Sequence, residues 1–89
     1  MFEDETPVAW TVLPLDAIVV GADGTEIGRV RSVLGDQSED IFHGIAMRRA
    51  NDGATVELPW PRIKRMTEQH VVTDMDAADA ESLPPYQER

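Results

Sequence analysis

The sequence predicts an all-β barrel or sandwich of about six short strands with a short helix at its C-terminal end. Three observations carry that reading. Helix-favouring stretches are scarce, the strand-like segments are short and closely spaced, and turn residues recur about every ten positions. The strongest element is the hairpin over residues 18–34. The apolar run Ile18-Val19-Val20 meets Gly21-Ala22-Asp23-Gly24-Thr25, and a second apolar segment opens at Ile27. Glycines supply the positive φ a tight turn needs, and Asp23 can hydrogen-bond its own backbone. Ile27 and Val30 are three apart, which strict alternation places on opposite faces. A β-bulge at Gly28 resolves this by shifting the parity, so that both point inward and the strand bends.

The remaining elements follow in order. Residues 1–9 carry Glu3, Asp4, Glu5 and Pro7 and are expected to form a mobile acidic arm, with order starting near Trp10. Residues 10–15 are a short lead-in interrupted by Pro14 that can pack Trp10 or Leu13 over one barrel mouth. The polar loop 35–40 leads to a third strand over 41–48. Simple alternation there puts Ile41, His43, Ile45 and Met47 inward, and Phe42, Gly44, Ala46 and Arg48 outward. A turn at Asn51-Asp52-Gly53 precedes a fourth strand over 54–58, in which Val56 and Leu58 alternate with Thr55 and Glu57. Pro59 and Pro61 end it, and a one-turn 3₁₀ segment is expected around 60–62. Residues 63–66 and 70–75 form a last hairpin. Residues 76–83 favour helix, with Asp74 or Asp76 as N-cap and a stop at Pro84-Pro85, but need docking to be stable at that length. The domain division is therefore an arm over 1–9, a barrel over 10–75, and a helix and frayed tail over 76–89.

Eighty-nine residues suit one domain of modest stability, roughly 4 to 13 kcal/mol at this size. Burying an exposed aromatic against a partner would matter on that scale, which favours self-association. There is no cysteine, so disulfides and thiolate metal sites are excluded. The acidic N-terminus is unlike a secretory signal and no apolar run approaches a membrane span, so a soluble cytoplasmic chain is expected. Seventeen Asp and Glu against eight Lys and Arg give a net charge of −9, which repels a phosphate backbone and disfavours nucleic acid as a partner. The cationic residues cluster as Arg29 with Arg31, Arg48 with Arg49, and Arg62 with Lys64 and Arg65. They read as solvated outer faces, or as a surface for an anionic partner.

Asp23-Gly24 followed by Ile27-Gly28-Arg29-Val30, then Gly44-Ile45, Leu58-Pro59 with Ile63, and a closing Leu83-Pro84-Pro85 stand in an order that resembles the PRC-barrel domain over residues 13–85. The resemblance implies a six-stranded, partly open barrel used as an interaction module, with no catalytic motif. Members include the ribosome maturation factor, where the domain contacts a ribosomal protein, and the photosynthetic reaction centre H subunit. Some are short stand-alone versions. The 89 residues contain neither the second domain of the first nor the membrane helix of the second. A ribosome-associated role rests on the analogy alone.

Candidate chemistry is sparse. His43 and His70 are the only imidazoles, and barrel closure could bring them together with Asp74 as a metal or small-ligand site, although the spacing matches no metal motif. The acidic loop 36–40 lacks the spacing of a calcium loop, and Gly21, Gly24 and Gly28 precede no helix that would hold a phosphate. Ser32, Ser38 and Ser82 lack a nucleophile elbow. No enzyme activity and no cofactor are expected. The aromatic residues point instead to recognition. Trp60 sits between two prolines on a stiff turn, and Trp, Tyr and Arg are enriched at interface hot spots. Trp60 and Trp10 either cap the barrel or contribute to an interface. The interface candidates are Phe42, Trp60, Trp10, Arg48 and Tyr86, on an outer sheet face that makes a homodimer or docks another protein.

Overall fold

The hairpin forms as its turn chemistry dictates. In the computed structural model, which describes residues 2–87, strand β1 (Ile18–Val20) pairs antiparallel with the long strand β2 (Glu26–Asp36). Between them Gly24 takes φ 87°, and the Asp23 carboxylate accepts the Thr25 N–H at 3.0 Å. The bulge is present, one residue earlier than expected. Val19 lies opposite Gly28 and Val20 opposite Glu26, so Ile27 is the extra residue. Ile27 and Val30 are both buried, as the parity argument requires. Gly28 has a different task, because a Cβ there would stand 2.5 Å from Met47 Cγ.

Strands β3 (Ile41–Arg49), β4 (Thr55–Pro59), β5 (Ile63–Met66) and β6 (His70–Thr73) complete a six-stranded mixed sheet in the order β4-β3-β2-β1-β6-β5. All neighbours are antiparallel except β1 and β6, which are parallel. A 3₁₀ turn at Trp60–Arg62 separates β4 from β5, and another at Trp10–Val12 precedes β1. No pairing joins β4 to β5 among the described residues, so the sheet is open. It is nonetheless strongly curled. Edge strands of a flat six-stranded sheet lie about 24 Å apart, whereas the four steps from Pro59 to Ile63 span at most about 14 Å. The two edges must therefore approach one another where β4 ends and β5 begins.

Curling gathers the inward side chains into one core, in which Val30, Ile45, Met47, Leu58, Val71 and Met75 are fully buried. Two buried threonines are satisfied locally: Thr73 Oγ1 donates to the Val20 carbonyl at 3.0 Å, and Thr67 Oγ1 accepts the His70 N–H at 2.9 Å. Helix α1 (Ala77–Glu81) is short but docked. Asp76 and Asp79 form a reciprocal capping box, Ala80 is buried, and Arg49 Nη1 donates to the carbonyls of Ala80 and Glu81 at 3.1 and 3.2 Å.

Both chain ends cover sheet edges. Tyr86 N–H donates to the Thr55 carbonyl and Glu57 N–H to that of Pro84, which lays residues 84–86 along β4. At the other edge, Val8 N–H donates to the Met66 carbonyl and Glu68 N–H to that of Thr6. The segment expected to be a free arm thus lies along the end of β5, and the tail expected to be frayed is paired as far as Tyr86. Unpaired strand edges template association, and these covers blunt both edges of the open sheet.

Gly44 marks the tightest backbone approach. It adopts φ 142°, and a Cβ there would collide with the Leu58 carbonyl. Gly44→Ala is expected to cost about 3 kcal/mol from overpacking and backbone strain, read as a lowered urea midpoint at unchanged slope.

Candidate functional site

The outer face of β2, β3 and β4 is set by two further register shifts. Val30 pairs with Met47 and Ser32 with Ala46, which leaves Arg31 as an extra residue. Val30 and Val33 consequently both turn toward the core, and Arg29, Arg31, Ser32 and Leu34 line the outside. The second shift lies at His43: Leu34 pairs with Gly44, and Gly35 with Phe42. Alternation beyond it is reversed. Phe42 therefore packs against the core while His43 and Ile41 are exposed, opposite to the simple alternating expectation for those three residues. Ile45 and Met47 point inward as expected.

Phe42 stacks on Trp10, with ring centroids 5.4 Å apart and planes inclined by 19°. The indole lies over Gly35, where a Cβ would stand 2.8 Å from the ring. Both rings are half-buried, so this pair closes one end of the core and is no longer part of an outer-face patch. Trp60 is the contrasting case. It is 56% exposed although Pro59 and Pro61 flank it and its carbonyl accepts the Ile63 N–H. Tyr86 is half-buried on the paired tail, where it and Pro85 form one wall of a cleft of about 670 Å³. Leu34, His43, Glu57, Pro59 and Gln87 line the rest. Arg48 is exposed at the far end of the same face, directly opposite Arg29.

The two histidines are not brought together. His43 lines the cleft on β3, whereas His70 lies on β6, beyond β2 and β1 in the sheet. Asp74 pairs with Arg62 at 2.6 Å. Among the described residues no group of three His, Asp or Glu is placed to hold a metal ion. His70 instead anchors the N-terminal segment. Its ring stacks on Phe2 at 3.7 Å, and its Nδ1 lies 2.7 Å from Glu5 Oε1. Thr67 Oγ1 donates to the same carboxylate oxygen at 2.6 Å. Phe2 and Glu5 had no signal in the sequence, because their partners are more than sixty positions away. Arg49 with Asp52 had one: the pair flanks a turn three residues apart and closes at 2.6 Å.

Hydrogen bonds hold several carboxylates ionised. Arg49 beside Asp52 lowers its pKa to about 2, helped by the Ala54 N–H. The Ser38 hydroxyl and N–H lower Asp36, and the Thr67 hydroxyl followed by His70 lowers Glu5 against the opposing effect of burial. The outer face of the β2–β3 hairpin carries charged side chains of both signs, with Arg29, Arg31 and Arg48 at one end and Asp36, Glu39 and Asp40 at its tip. No helix among the described residues is long and apolar enough to cross a membrane.

No protein-family model matches the sequence, and no curated protein matches it significantly.

The Glu5 contacts make the clasp acid-sensitive. A carboxylate whose folded pKa lies below its free value of 4.5 contributes stability above that value, and the contribution is lost as pH falls through the folded pKa. Protease cleavage within residues 2–8 is expected to accelerate as pH falls below about 4.5. Glu5→Gln is expected to show fast cleavage already at neutral pH and to flatten the dependence, as measured by mass spectrometry of timed digests.

Proposed function

We propose that this chain is a non-enzymatic interaction module of the PRC-barrel kind: a six-stranded, partly open barrel, working in the cytoplasm, that docks a protein through the outer face of β2, β3 and β4. The observation that carries the reading is Trp60. An indole more than half exposed is unusual for so large an apolar side chain. Here it is held on a hydrogen-bonded turn between two prolines, so little conformational entropy remains to be lost on binding. It follows directly on Pro59, which lines the cleft with Leu34 and Tyr86. An aromatic anchor at the border of a part-apolar cleft, with arginines on the same face, has the composition of a protein interface. The net charge of −9 argues against a nucleic acid or an anionic membrane in that place.

The test is molar mass by light scattering over a concentration series, with tryptophan emission on the same samples and affinity capture alongside. Association is expected to blue-shift the Trp60 emission. Trp60→Ala is expected to weaken binding by about thirtyfold, the effect of losing a hot-spot residue. If Trp60→Ala leaves both mass and captured partners unchanged, the reading fails. A Trp10→Phe variant supplies the emission control.

A further inference from the structure

The charges on the outer face of β2 and β3 are arranged in a way that identifies an occupant. Arg29 and Arg48 stand directly opposite each other across the two strands, a like-charge pairing that destabilises a sheet. Among the described residues Arg29 has two long contacts, to Glu26 Oε2 and to the Asp16 carbonyl, both 3.4 Å. Arg31 and Arg48 make no ion pair among the described residues. In a chain carrying seventeen Asp and Glu against eight Lys and Arg, two unpaired guanidinium groups beside an Arg29 held only by a long ion pair to Glu26 are an under-compensated feature that an anionic partner would relieve.

The same hairpin carries the complement. At its tip Glu39 and Asp40 have unpaired carboxylates among the described residues, beside an Asp36 kept ionised by Ser38. Asp36 lies seven steps along the chain from Arg29, about 23 Å in an extended strand. Between the two charged ends the solvent-facing residues are Ser32 and Leu34 on β2 and His43 on β3, while Gly44 and Ala46 beside them are buried. A surface with a positive end and a negative end is self-complementary under a two-fold rotation, since residue i then meets residue j at both ends.

We propose that this face binds a second copy of the chain as an antiparallel, two-fold dimer. The Arg29, Arg31 and Arg48 end of one protomer meets the Asp36, Glu39 and Asp40 tip of its partner, and Ser32 and Leu34 lie near the axis. The proposal rests on the interaction-module reading and names its partner. Salt weakens such a dimer, because both charged ends remain partly solvated at the rim.

Charge exchange tests it. In low salt, light scattering or sedimentation is expected to give the wild type a dimer mass that falls with added salt. Arg29→Glu with Arg48→Glu places acid against acid at both ends, and Glu39→Lys with Asp40→Lys places base against base. Each double variant alone is expected to associate at least about a hundredfold more weakly than wild type. Mixed in equal amounts, they restore opposite charges at both ends, and the dimer mass is expected to return. That recovery also shows that both variants are folded. A wild type that stays monomeric in low salt overturns the proposal, as does a dimer that neither variant weakens, or a mixture that remains monomeric. A monomer that binds poly-glutamate through Arg29 and Arg48 assigns the face to another acidic chain, which also overturns the second-copy assignment. A dimer insensitive to charge reversal but lost in Trp60→Ala leaves the interaction-module reading standing while removing this one.

Discussion

Three residues, Trp60–Arg62, join the two edge strands of the sheet, and that short link constrains everything else. A flat sheet would place those edges farther apart than the link can span, so the sheet has to curl and coil. Curling gives an 89-residue chain a single core instead of two half-covered faces. It also explains why Pro59 and Pro61 suit the link. Proline cannot continue a sheet ladder, so the strand ends where the chain must turn, and the fixed φ stiffens that turn. The exposed Trp60 is a consequence of the same geometry, standing on the outside of the tightest part of the path.

A curled sheet needs local bends, and β2 provides them through the extra residues Ile27 and Arg31, with His43 supplying another on β3. Each bend also decides which side chains meet solvent. The one at Arg31 turns two consecutive residues outward and sets the guanidinium groups on the β2–β3 face. The one at His43 exchanges Phe42 for His43, sending the aromatic ring to Trp10 and the imidazole to the cleft. The curl of the sheet and the make-up of its outer face are therefore produced by the same departures from strand regularity.

The edges are managed differently from the faces. The N-terminal segment meets β5 and the C-terminal segment meets β4, so that the open sheet carries cover at both margins. The N-terminal cover is held by a small polar hub in which Thr67, buried and fully satisfied, bridges Glu5 and the backbone of His70. The C-terminal cover is preceded by α1, which Arg49 ties to the β3–β4 turn through Asp52. With both margins occupied, the outer face of β2 and β3 is where charged side chains of both signs stay exposed.

Local chemistry determined most of the elements. The Asp23-Gly24 and Asn51-Asp52-Gly53 turns, the alternation of Val56 and Leu58, the proline-bounded turn at Trp60 and the Asp76 cap act over a few residues, so each could be read directly from the sequence. The need for a bulge near Gly28 was legible too, because Ile27 and Val30 could share a face in no other way. Tertiary structure alone decided the rest. No periodicity signals the bulge at His43, since it exists to fit β3 to a bent β2 and to the backbone of Leu58 beside Gly44; this is why Phe42 reads as outward and packs inward. The capture of residues 2–8 by His70 and Thr67, and the pairing of residues 84–86 with β4, depend on partners brought close only when the sheet curls. Polar and proline-rich ends look free in isolation because what holds them is the edge of a sheet that does not exist until the chain has folded.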